Sequence, residues 1–92
     1  MAELLSMEEL SKREHIIIDV RTAQEIEADP IEGVQGEVVH MELSTVPARY
    51  HELPTDKLLA FVCAANMRSV QAAEYLAAMN YGQVCVLDKF SI

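Results

Sequence analysis

The sequence predicts an α/β domain built on a central, mainly parallel sheet of about four or five strands, with helices on both faces. Three observations carry that expectation. Apolar runs such as Ile16-Ile17-Ile18 and Leu58 to Val62 show no polar alternation. Such runs read as strands buried on both faces, the habit of parallel sheets. They alternate along the chain with segments of helical spacing, and each connection is long enough for a crossover between parallel strands. At 92 residues the chain has room for one domain, expected to span 1–92.

Taken in order, Ser6 and Glu9 have capping-box spacing, with Met7 and Leu10 as the apolar positions of a short opening helix ending near Arg13. His15 to Val20 is the first predicted strand. Thr22 and Glu25 repeat the capping-box spacing, so a short helix is expected over Ala23 to Ala28, stopped by Asp29-Pro30. Pro30 to Glu37, with Gly33 and Gly36, reads as a loop, and Val38 to Met41 as a second strand. Ser44 or Thr45 is placed to cap a helix running towards Leu53, with Pro47 tolerated in its first turn. Pro54 to Lys57 forms a turn. Leu58 to Val62 is the most apolar strand, and after a loop the chain enters its best helix at Ser69, where Val70, Ala73, Leu76 and Ala77 recur at helical spacing. Asn80 and Gly82 end that helix, Gln83 to Leu87 is the last strand, and five residues follow.

Seven Lys and Arg face fifteen Asp and Glu, a formal charge of −8. Residues 1–42 hold eleven acids and three bases, whereas 43–92 hold four of each. No basic run exceeds Lys12-Arg13, which argues against nucleic acid and anionic membrane surfaces as partners. No apolar stretch approaches the roughly 20 residues that cross a bilayer. The opening Met1-Ala2-Glu3 lacks a secretory pattern, so a cytoplasmic location is expected. Two cysteines make neither a disulfide framework nor an all-thiolate zinc site, so reduced thiols and no metal or cofactor are expected.

The segment that carries chemistry runs from Phe61 to Ala73. A strand delivers the chain to Cys63, four residues (Ala64, Ala65, Asn66 and Met67) turn it, and Arg68-Ser69 opens a helix of small side chains. In an open parallel sheet, ligands bind beyond the carboxyl ends of the strands, where Cys63 is expected. Loop N–H groups and the positive end of a helix converging on one sulfur stabilise its thiolate, and the thiolate is the nucleophile. Arg68 would add a planar cation for an incoming anion. The competing reading is a small hydrophobe closing a buried strand, a common fate of free cysteine. Cys85, inside a strand, reads as packing, with a resolving thiol as the alternative.

With these residues in view, the chain resembles the rhodanese-like domain family. Cys63 to Ser69 is similar to that family's active loop of Cys, four residues, Arg, then Ser or Thr at a helix start. Ile16 to Glu25 resembles its strand ending in Asp-Val-Arg followed by a short helix with a Glu, and Val39 to Leu43 falls where the family has a strand and then Pro-Leu. The resemblance implies a three-layer domain and a sulfurtransferase. In that chemistry Cys63 takes the outer sulfur of a small donor, thiosulfate or a persulfide, holds it as a persulfide, and yields it to a thiol acceptor. The loop N–H groups of Ala64 to Arg68 would cradle the charge, while Asp19 and Arg21 would support the loop from a neighbouring strand end. The alternative reading of Arg21 is a surface ion pair.

Departures from the family pattern set further expectations. Asn66 stands where the family often has glycine, and Asn is the other residue that best tolerates a left-handed backbone. Arg68 is the loop's only cation. The family's closing Gly-Gly and helix give way to Asp88-Lys89-Phe90-Ser91-Ile92, so the C-terminal end is read as shortened. One face of the sheet is then left for the opening helix or a partner subunit to cover, with Phe90 and Ile92 as contacts of a homodimer. Glu25 and Glu27 read as solvated charges. Other functions in play are a catalytically weak binding or regulatory module serving a partner protein, and a cysteine phosphatase or arsenate reductase, whose loops hold five residues between Cys and Arg.

Overall fold

The computed structural model describes residues 2–92. Five strands, β1 (Glu3–Leu5), β2 (His15–Asp19), β3 (Val38–His40), β4 (Leu58–Val62) and β5 (Gln83–Leu87), form one sheet in the order β1-β5-β4-β2-β3. Every neighbouring pair is parallel. β4, the most apolar strand, lies at the centre between β2 and β5, buried along its whole length.

The two-residue period of a strand sorts its side chains to two faces. Ile16, Ile18 and Val20 join Leu59, Phe61, Cys63 and Val86 on one face, against Ala72, Ala73 and Leu76 of helix α4 (Met67–Ala78) and Val46 of the short helix α3 (Val46–Arg49). Ile17, Leu58, Ala60, Val62, Cys85 and Leu87 line the other, under Met7 and Leu10 of helix α1 (Met7–Leu10), with Ile31 and Val34 packed alongside. The opening helix, with the 31–34 segment, thus supplies the cover that the second face needs.

Both predicted capping boxes are present: Ser6 with Glu9 starts α1, and Thr22 with Glu25 starts helix α2 (Ala23–Ala28). One strand is new and two expectations are corrected. Glu3–Leu5 is a strand that local pattern does not reveal, because Glu-Leu-Leu favours helix and only pairing with β5 makes it extended. The helix expected from Ser44 or Thr45 to Leu53 is broken into 3-10 turns (Leu43–Thr45 and Tyr50–Glu52) around the single turn of α3. The helix expected to begin at Ser69 begins two residues earlier, at Met67. After β5 the chain makes a 3-10 turn, Lys89–Ser91, capped by the Asp88 side chain. Among the described residues no helix is long and apolar enough to cross a membrane.

Candidate active site

Cys63 directly follows β4, and strand parity aims its side chain at α4. The chain reverses at Asn66, whose φ of 67° and ψ of −3° are left-handed, and α4 starts at the next residue. Arg68 and Ser69 therefore fall in the first helical turn, where N–H groups have no partner within the helix. The Ser69 N–H points at Cys63 Sγ from 3.3 Å, and the Ser69 hydroxyl stands at the same 3.3 Å. Cys63 and Ser69 are 1% and 0% exposed, so these contacts are made out of water. Burial pushes the thiol up, but the Ser69 hydroxyl and the N–H groups of Ser69, Ala65 and Arg68 outweigh it and hold the thiol below its ordinary value. The earlier helix start has a physical consequence: the loop is shorter, and two of the thiolate's donors are helix N-terminal amides.

Arg68 is not a free cation. Its two terminal nitrogens donate to Glu25 Oε1 at 2.6 Å and Oε2 at 2.7 Å, a bidentate pair joining α4 to α2. Glu25 also accepts from the Thr22 N–H at 3.0 Å and the Thr22 hydroxyl at 3.1 Å. The Arg68 hydrogen bond, then the Thr22 N–H, hold this carboxyl at about 2. The solvated reading of Glu25 is thereby corrected: the capping box that starts α2 aims its carboxylate at the active loop. Capping-box spacing is visible in the sequence, but its second partner, 43 residues away, is not.

Asp19 and Arg21, expected to support the loop, pair with each other at the end of β2 with side chains 2% and 3% exposed, so the alternative of a surface ion pair does not hold. Arg21 Nε and a terminal nitrogen donate to Asp19 at 2.9–3.2 Å, and its other terminal nitrogen donates to the Asp29 carbonyl at 2.8 Å. Their hydrogen bonds thus brace the end of α2, which presents Glu25, and not the 64–69 loop directly. His40 Nε2 donates to the Arg21 carbonyl at 2.7 Å, and the His15 ring nitrogens meet the carbonyls of Arg13 and Gln35.

The sequence gives Asn66 a reason for its backbone alone, yet its amide is engaged. Nδ2 donates to Asp88 Oδ1 at 3.1 Å, and Oδ1 accepts from the Lys89 N–H at 3.0 Å. Ala64, Ala65 and Met67 are exposed at the loop's outer surface, Met67 to 74%. Cys85 lies on the opposite face of the sheet from Cys63, and burial pushes its thiol up to about 12, which fits packing and not a resolving role. Among the described residues no three His, Cys, Asp or Glu gather to hold a metal ion.

Comparison with known proteins agrees with this fold. The sequence matches the Rhodanese-like domain family over residues 2–90. A protein of Allochromatium vinosum named "Sulfurtransferase" is 29% identical over 83 residues, 90% of this chain and 74% of that one. A rhodanese homolog from the extremely thermophilic bacterium Thermus thermophilus superposes with a TM-score of 0.70 at 24% identity, covering 95% of this chain and 94% of that one. An NAD-dependent persulfide reductase from A. fulgidus superposes with a TM-score of 0.73 at 25% identity over 95% of this chain, which corresponds to only 15% of the reductase. A central parallel sheet delivering a cysteine into a loop closed by Arg-Ser at a helix start, together with a family match across nearly the whole chain, makes this protein a member of the rhodanese-like domain family.

Proposed function

We propose that the protein moves a sulfane sulfur from a donor to a thiophilic acceptor through a persulfide on Cys63, and that its preferred donor is a thiol persulfide and not thiosulfate. The observation that carries the first half is the set of donors focused on Sγ: the Ser69 hydroxyl and the N–H groups of Ala65, Arg68 and Ser69. They favour the thiolate before reaction and can solvate the persulfide anion after it. The Cys63 thiolate attacks the terminal sulfur of R–S–S⁻, a new S–S bond forms, the old one breaks, and R–S⁻ leaves to take a proton from water. An acceptor thiolate then attacks the outer sulfur on Cys63 and restores the starting thiolate, with no net oxidation.

The donor preference rests on charge and access. The loop's one cation is neutralised by Glu25, so no unpaired positive charge in the loop meets a small dianion. Sγ is buried, and the slim terminal sulfur of a thiol persulfide suits that access better than a tetrahedral group. The superposition on a persulfide reductase points to the same donor class. Intact-mass measurement after incubation with a thiol persulfide tests the reading. A gain of one sulfur, absent in Cys63→Ser and discharged by added thiol, is expected. An unmodified wild-type thiol would leave the fold as a binding or regulatory module, and faster sulfur uptake from thiosulfate than from the persulfide would overturn the donor assignment.

A further inference from the structure

Asn66 occupies the one position of the active loop with a left-handed backbone, a conformation that glycine takes at no steric cost. As the residue preceding α4 it would ordinarily cap that helix, yet its side chain makes no capping bond. Its amide is spent instead on residues 22 and 23 positions away: Nδ2 on Asp88 Oδ1 at 3.1 Å and Oδ1 on the Lys89 N–H at 3.0 Å. Asp88 is itself fixed. Its N–H donates to the Leu5 carbonyl at 2.8 Å, its Oδ1 accepts the Phe90 N–H at 3.0 Å, and its carbonyl accepts the Ser91 hydroxyl at 2.7 Å. Ser91 Oγ in turn accepts the Met7 N–H at 2.9 Å, at the start of α1. A continuous chain of hydrogen bonds therefore runs from the first turn of α1, through the turn after β5, to the residue that sets where α4 begins.

We propose that Asn66 is a positioning residue for Cys63: its amide, anchored on Asp88 and Lys89, holds the start of α4 where the Ser69 hydroxyl and first-turn N–H groups converge on Sγ. Glycine would satisfy the backbone at this position but not the anchor, whereas asparagine does both. The inference rests on Cys63 being the nucleophile of the reaction proposed above. The charged groups around the site are Arg68 of α4, its partner Glu25 of α2, Asp19 and Arg21 at the end of β2, and Asp88 after β5.

The test is the pH profile of Cys63 alkylation by iodoacetamide, read by peptide mass mapping so that Cys85 is scored separately, alongside sulfur uptake from a thiol persulfide. Asn66→Gly keeps the left-handed backbone and removes the anchor. Its alkylation midpoint should move to higher pH, with the rate at neutral pH falling about threefold or more, because less thiolate is present. Asn66→Asp places two carboxylates together and should slow alkylation further. Adding Asp88→Asn to it restores one donor facing one acceptor, gives up the Phe90 N–H bond, which falls on the same Asp88 oxygen, and should recover part of the rate. A residue that only stabilises the fold would change the melting temperature without moving the alkylation midpoint. A wild-type profile in Asn66→Gly, or no recovery in the paired variant, overturns the proposal. The two readings fail separately. A shifted profile with no sulfur uptake by wild type sinks the sulfurtransferase reading, while normal uptake with an unshifted profile sinks the positioning role.

Discussion

At the scale of single residues, Glu25 does three things at once. It closes the Thr22 capping box, neutralises Arg68, and so sets the charge that a donor meets at the loop. Its carboxyl sits at about 2 in the folded protein against an ordinary 4.5. A depressed carboxyl contributes stability that is fully present above its unfolded value and is lost as pH falls through the folded one. The contribution of this pair should therefore be intact above about pH 5 and fade between there and about pH 2. Glu25→Gln keeps the capping box, since Gln serves at that position, but removes the charge. Denaturation midpoints of the two proteins should differ at neutral pH and converge as the pH approaches 2. The same variant releases Arg68, so its sulfur uptake from thiosulfate should rise relative to uptake from a thiol persulfide. Parallel changes for the two donors would show that the ion pair has no part in donor choice.

At the scale of elements, β4 is the strand on which both structure and chemistry depend. Its residues face alternately α4 and α1, and its last step places Cys63 on the α4 side. Phe61, fully buried two residues before Cys63, shares the same face and packs in the cluster with Leu76 and Val86. Phe61→Ala should cost about 3–5 kcal/mol, read by chemical denaturation, because the cavity closes only in part against a sheet fixed on both sides. The expected loss is a large fraction of the stability of a small domain. A cost near 1 kcal/mol would mean that α4 collapses onto the gap, in which case Cys63 alkylation should change with it. The short elements behave otherwise. α1 is a single turn, yet its Met7 and Leu10 are buried because they pack, with Ile31 and Val34, over the face that carries Ala60, Cys85 and Leu87.

At the scale of the whole molecule, the charge of −8 is concentrated in residues 1–42, and the fold brings part of that half to the active loop through α2 and Glu25. With Arg68 paired to Glu25, the donor preference proposed above predicts that a small dianion approaching Cys63 feels the net negative charge of the molecule without a local cation to offset it. Added inert salt should screen it, since the Debye length shrinks from about 30 Å at 0.01 M to about 10 Å at 0.1 M. Sulfur uptake from thiosulfate should accordingly speed up several-fold across that range, while alkylation by neutral iodoacetamide stays level. A thiosulfate rate that falls with salt would reveal an attractive field at the loop and count against the donor preference.

The sequence by itself determined the fold class, four of the five strands, both capping boxes and the cysteine loop. Each of these is written in neighbouring residues: runs of β-branched side chains, Ser or Thr three residues before Glu, and a Cys-to-Arg spacing that the chain carries whole. Only the tertiary structure decided what those residues face. β1 exists through its pairing with β5, Arg68 is neutralised by a glutamate 43 positions away, Arg21 braces the end of α2 and not the loop, and Asn66 spends its amide on the far end of the chain. These partnerships join segments distant in sequence, and hydrogen bonds and ion pairs of that kind leave no local periodicity to read. They are also the contacts that set the charge and geometry at Cys63, and so they turn a recognisable loop into a particular chemical environment.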